Sequence, residues 1–141
     1  MAHKGHLTGM RGVYLVAAKL SENGIVVAPT SRSARGADLL ATDPDCRKAF
    51  SVQVKTNART FAFFLVGEHA SKVSSDSHIF VLVNLRPKAT DYFVVPSRLL
   101  APLVKPPSNK TGSQFWAVYA RDIERFRDRW DIFDALRMPQ Q

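Results

Sequence analysis

The chain has 141 residues, 45% of them hydrophobic, which suits one domain spanning 1–141 around a single core, and its apolar runs are too short to cross a bilayer. One cysteine, Cys46, excludes an internal disulfide, and its polar turn offers no neighbouring base to make it a nucleophile. A formal net charge of +8 concentrates polyanions around the protein, nucleic acid above all, with a ribosome or a membrane surface as the blander partners.

Residues 1–8 are polar and expected to be flexible, and His3 and His6 lack the acids or cysteines that would complete a metal site. The first helix is predicted from Thr8 or Gly9 to Glu22. Its apolar positions Val13, Val16, Ala17 and Leu20 recur at helical spacing, Thr8 can cap its start, and Asn23-Gly24 ends it. The β-branched run Ile25 to Thr30 predicts the first strand. A polar loop with Ser31, Arg32, Ser33 and Arg35 follows, a grouping of cations and small hydroxyls suited to gripping phosphates.

Gly36 to Ala41 and Phe50 to Thr56 then form a predicted hairpin across the turn Asp43-Pro44-Asp45. Alternation puts Phe50, Val52 and Val54 on one face and Ser51, Gln53 and Lys55 on the other. Asp38 is the lone ionisable group in its apolar run, so its carboxylate needs a partner, a metal or water. Pairing that sets Asp38 beside Gln53 and Lys55 gathers an anionic ligand, a neutral oxygen ligand and a cation at one place.

Thr56, Asn57 and Arg59 continue the polar, phosphate-suited surface, and Thr60 to Val66 reads as a strand or as part of a dimer contact. Gly67 to Ser77 is predicted as a loop with a short helical turn, with His69 and His78 as surface or capping groups. His78 to Leu85 is apolar almost throughout, as expected of a strand covered on both faces, and Tyr92 to Val95 is a further strand after it. Ser97 is a cap candidate for a short helix ending by Leu103, where Pro102 limits its length. A loop from Lys105 to Gly112, an edge strand from Phe115 to Ala120 and a helix from Asp122 to Arg129 complete the chain. In that helix Ile123, Phe126 and Trp130 are expected to pack in the core.

Gly36-Ala37-Asp38-Leu39-Leu40, a turn, then Val52-Gln53-Val54-Lys55-Thr56 resembles the core of the PD-(D/E)xK nuclease superfamily, in which Holliday-junction resolvases and many restriction enzymes carry an Asp and then an acid-x-Lys. The resemblance runs from about Gly9 to Leu136, with Val95-Pro96-Ser97 after a later strand and tryptophans towards the end. Small bacterial members whose third strand reads Gln-x-Lys-Thr are the most similar. The resemblance implies an α/β fold with a mixed central sheet flanked by helices, restriction-endonuclease-like, and a catalytic set of Asp38, Gln53 and Lys55. It also implies Mg2+ (or Mn2+) held by Asp38, the Gln53 amide oxygen and the Val54 carbonyl, since magnesium accepts few protein oxygens when waters and phosphate supply the rest. Two positions depart from the pattern: Gln53 replaces the usual acid, and Val13 stands where the helix often carries a glutamate.

The expected function is therefore that of a cytoplasmic, metal-dependent endonuclease acting on DNA, with a homodimer favoured because cutting two strands suits two symmetric sites. A catalytically degenerate nucleic-acid binder of the same fold is the alternative. A protein-interaction subunit of a defence or mobile-element system is another.

Overall fold

The computed structural model describes residues 4–31, 36–110 and 112–137. Helix α1 spans Lys4–Glu22 and begins before the predicted start. Thr8 does not cap it: its hydroxyl donates to the Lys4 carbonyl at 3.0 Å from inside the helix, so residues 4–8 are helical where flexibility was expected. Val16 and Leu20 are fully buried, with Val13 and Ala17 partly so. At the other end the Asn23 amide side chain donates to the Lys19 carbonyl (2.8 Å), and Gly24, at φ 77°, takes the left-handed conformation that turns the chain away.

Strands β1 (Val26–Pro29), β2 (Leu39–Thr42) and β3 (Ala49–Asn57) form an antiparallel meander. The hairpin turn between β2 and β3 is closed by the Asp43 carboxylate, which accepts the backbone amides of Arg47 (2.7 Å) and Lys48 (2.9 Å). Two short strands, β4 (Phe63–Leu65) and β7 (Ala117–Tyr119), pair with each other in a separate two-stranded sheet. The segment after Thr60 thus finds its strand partner within its own chain. β5 (His78–Leu85) runs parallel to β3, and β6 (Thr90–Pro96) runs antiparallel to β5, giving a mixed five-stranded sheet in the order β1-β2-β3-β5-β6.

Every residue of β5 is buried, because both of its faces are covered. Ile79, Val81 and Val83 point to the side of α1, joining Val52, Val54, Phe133 and Leu136; Phe80 and Leu82 point the other way, to Phe64, Phe93, Ile123 and Phe126. Each such side chain contributes about 1.5–3 kcal/mol on burial, and the two apolar layers fix which strand face remains for polar groups. On β3 the face carrying Ser51, Gln53, Lys55 and Asn57 lies on the β4 side, opposite α1.

Two capping and helix expectations are corrected by tertiary contacts. Ser97 caps nothing; its hydroxyl accepts the Ser75 amide (3.0 Å) and donates to the Ser75 carbonyl (2.9 Å), tying the loop before β5 to α2 (Ser97–Leu100). The predicted helix from Asp122 to Arg129 is a series of 3-10 turns, at Ala120–Asp122, Glu124–Phe126 and Trp130–Leu136. Asp128 breaks any continuous helix: it sits at φ 54° and donates its amide to the Tyr92 carbonyl (2.8 Å), while Arg127 bridges Phe93, so the chain here edges the sheet. Ile123 and Phe126 are buried as expected, and Trp130 packs on Tyr92 and Phe133. No helix of the described residues is long and apolar enough to cross a membrane.

Candidate active site

The site grows out of the place where β2 runs out beside β3. Leu39 lies opposite Val52, yet the Asp38 amide also donates to the Val52 carbonyl (2.7 Å), so two residues of one strand meet one of the other, as in a β-bulge. Beyond Val52 the edge of β3 has lost its backbone partner. The Asp38 carboxylate replaces it: Oδ2 accepts the Val54 amide at 2.8 Å and the Gln53 Nε2 at 3.0 Å. Within a strand the N–H and C=O of one residue face the same edge, so the Val54 carbonyl is directed to the side of β3 where Asp38 sits.

Asp38, Gln53 and Lys55 line one cleft of about 450 Å³, walled by Gly36, Val66, His69, Ala70, His78 and Phe80. Asp38, the lone ionisable group of its run, and Gln53 and Lys55, sorted to one face by alternation, are therefore brought together. Lys55 is half-buried there and makes no ion pair with another described residue, which leaves its ammonium available to the cleft. A second hollow, about 470 Å³, shares Asp38, Gln53 and Val54 and is bounded by the N-terminal half of α1 and by Pro29, Thr30 and Ser31. Val13 lines it, so the position at which the superfamily often has an acid does adjoin the site, with a methyl-bearing surface in place of a carboxylate.

The remaining phosphate candidates are dispersed. Ser31 borders the second hollow, while Arg32, Ser33 and Arg35 fall outside the described residues. Thr56 points to α1, where a Cβ added to Gly12 would collide with its hydroxyl; that hydroxyl is buried without a hydrogen-bond partner among the described residues. Asn57 donates to the Phe63 carbonyl (2.7 Å) and to Asn84 Oδ1 (3.1 Å), holding β4 to the sheet, and Arg59 is exposed beyond β3 and lines neither cleft.

His69 is exposed at the cleft wall, as expected, but His78 is buried, which corrects its reading as a surface or capping group. It opens β5 opposite Ser51, and its Nδ1 lies 2.6 Å from the Ser51 Oγ. Burial holds its imidazole below the ordinary histidine range and the charge of His69 pushes in the same direction, so His78 is neutral at pH 7. The signal that would have found it is register: the parallel pairing of β3 with β5 sets residue 78 beside residue 51.

No family model matches the chain, and no curated protein matches it. Its fold is similar to a solved structure of Hjc, a Holliday junction resolvase from the archaeal hyperthermophile Archaeoglobus fulgidus, with a TM-score of 0.56 at 10% identity, covering 94% of this chain and 98% of that one. The mixed α/β sheet flanked by helices is thus restriction-endonuclease-like.

Proposed function

We propose that the chain is a metal-dependent endonuclease that hydrolyses DNA phosphodiester bonds, with Asp38, Gln53 and Lys55 as its catalytic set. What carries the reading is the meeting of the Asp38 carboxylate with Gln53 and Val54 at the wall of a cleft that also holds Lys55. The resolvase-like fold supports a nuclease-type scaffold, and the charge of +8 suits a polyanion.

The donor set fits a hard divalent cation such as Mg2+ or Mn2+, because all the ligands on offer are oxygens. Asp38 Oδ1 accepts no hydrogen bond from another described residue, the Val54 carbonyl shares the edge, and the Gln53 amide supplies its oxygen once turned over. A bound cation of this kind activates water and relieves charge on the leaving oxygen. Lys55 balances the negative charge that builds on the phosphoryl oxygens and orients the attacking water, from a half-buried position where its charge counts for more than in bulk solvent. Ser31, Arg32, Ser33, Arg35 and Arg59 grip flanking phosphates.

Supercoiled and branched DNA incubated with magnesium or manganese tests this. Asp38→Asn, which keeps an acceptor for the Val54 amide, and Lys55→Ala are expected to slow cleavage by about 100-fold or more. Cleavage by either variant at the wild-type rate refutes the assignment. A second reading, a binder that holds DNA without cutting it, is favoured by the two departures from the superfamily's pattern: Gln53 stands where the usual acid would be, and Val13 lines the second hollow with no carboxylate. Wild-type protein that binds DNA and leaves it intact establishes that reading.

A further inference from the structure

Past Val104 the chain leaves the second apolar layer as a hairpin arm. Lys105 and Ala117 exchange backbone hydrogen bonds of 2.7 and 3.0 Å, and Ser108 pairs with Ser113 further out. Between Asp91 and Asp122 the sequence contains no acid, so the arm carries only positive charge, from Lys105 and Lys110, both exposed. Phe115 stands on this arm with 57% of its surface exposed. Its neighbour Trp116 packs against the layer of Phe64, Phe93 and Val118, and the Trp116 carbonyl accepts the Val66 amide at 3.1 Å. Val66 lines the cleft of Asp38, Gln53 and Lys55. The exposed ring is therefore rooted, one residue away, on a wall of the candidate active site.

We propose that the arm is a binding site for an unpaired nucleobase, stacked on Phe115, with Lys105 and Lys110 holding the adjoining phosphates. An aromatic ring offered to solvent between cations matches a single strand, whose bases have free faces and whose backbone is anionic. A fully paired duplex has no base face to give the ring, so the arm confers preference for DNA with a single-stranded segment beside the cleft. A cationic surface would serve an acidic protein partner as well, but the ring adds nothing to such a contact that depends on unpaired bases. The inference rests on the reading of the protein as DNA-acting, and its test is run in EDTA, so that an inert cleavage site leaves it intact.

Binding of a labelled duplex with a single-stranded tail and of the same duplex fully paired is measured by fluorescence anisotropy. Phe115→Ala is expected to weaken tailed DNA by roughly 5- to 100-fold, as loss of one stacked base does, and to change the paired duplex by less than about twofold. Phe115→Trp restores the tailed affinity. Lys105→Ala with Lys110→Ala weakens both DNAs and lowers the salt slope by about 1–2. Equal losses on both DNAs with Phe115→Ala, no loss on either, or no wild-type binding to the tailed DNA each overturns the proposal. The ring's exposure makes the variant tolerable to the fold, and its thermal unfolding is compared with wild type.

Discussion

Replacing Gln53 by glutamate tests the site at its least usual position. In the folded chain the amide nitrogen sits 3.0 Å from Asp38 Oδ2, so Gln53→Glu exchanges a hydrogen bond for two carboxylates in contact. At that separation two unit charges repel by about 1.4 kcal/mol in bulk water and about 5.5 kcal/mol at an effective dielectric constant of 20. Both side chains are half-buried and the introduced carboxyl can swing towards the cleft, so a net loss of roughly 1–3 kcal/mol is expected in EDTA at neutral pH. The loss shrinks on acidification, because one of the two groups then holds a proton. Magnesium reverses the sign: a dication between two carboxylates binds the native state only, and a hundredfold excess over its dissociation constant returns about 2.7 kcal/mol. At about 3–5 °C per kcal/mol for a chain of this length, the variant melts several degrees below wild type in EDTA and recovers in magnesium, whereas wild type responds weakly. Scanning calorimetry with and without magnesium reads both effects. A variant that melts with wild type in EDTA and responds to magnesium no more than wild type does would show that residues 38 and 53 do not face a common cation site.

Two further outcomes concern the frame around the site. Gly12→Ala, whose new Cβ would collide with the Thr56 hydroxyl and come within 2.9 Å of its Cβ, is expected to cost about 1–3 kcal/mol in urea unfolding, partly recovered when combined with Thr56→Ala. Thr56→Val is expected to be neutral or stabilising by about 1 kcal/mol, since it removes a buried hydroxyl with no partner among the described residues; a large loss of DNA binding on this change would instead place Thr56 at the phosphates. At the far edge of the sheet, burial raises the Asp91 pKa, but hydrogen bonds from Arg86 and Arg127, both 2.6 Å, outweigh it and hold the carboxyl below its ordinary range. A depressed folded pKa gives stability that is present above the unfolded value near 3.9 and lost as pH falls through the folded one. Asp91→Asn should therefore destabilise by about 1–2 kcal/mol at pH 7, with the gap to wild type closing in acid-unfolding curves as pH falls from the unfolded value through the folded one.

Local signals carried the centre of the molecule. Asp43-Pro44-Asp45 specified the hairpin because the Asp43 carboxylate closes its own turn, and the alternation of β3 sorted Gln53 and Lys55 from Val52 and Val54 because one face had to be apolar. The unbroken apolar run of β5 marked a strand buried on both sides. What escaped depends on contacts distant in sequence. Asn57 is fixed by Phe63 and Asn84, Ser97 by Ser75, and His78 by Ser51, and none of these pairings leaves a trace in its own neighbourhood. The last helix failed for the same reason. Its apolar spacing was real, but a sheet-edge hydrogen bond from Asp128 to Tyr92 competes with helical bonding and prevails.

Gln53 also has a physical rationale that the nuclease pattern alone would hide. The end of β2 leaves the Val54 amide facing an edge without a backbone partner, and leaving it bare would cost about 1–3 kcal/mol. Asp38 covers that amide, so its carboxylate is needed by the fold whether or not a cation is present. A second acid at residue 53 would oppose that charge until a dication arrived, coupling the stability of the sheet edge to metal. An amide avoids the conflict, since its nitrogen can donate to Asp38 at 3.0 Å and its oxygen remains available on rotation. The same exchange removes one negative charge from the proposed cation site, so on that reading tight occupancy would draw on the phosphates of the substrate itself. On the proposed reading, metal and DNA are expected to bind together more tightly than either binds alone, and titrating magnesium into the protein with and without an uncleavable phosphorothioate duplex reads that coupling directly.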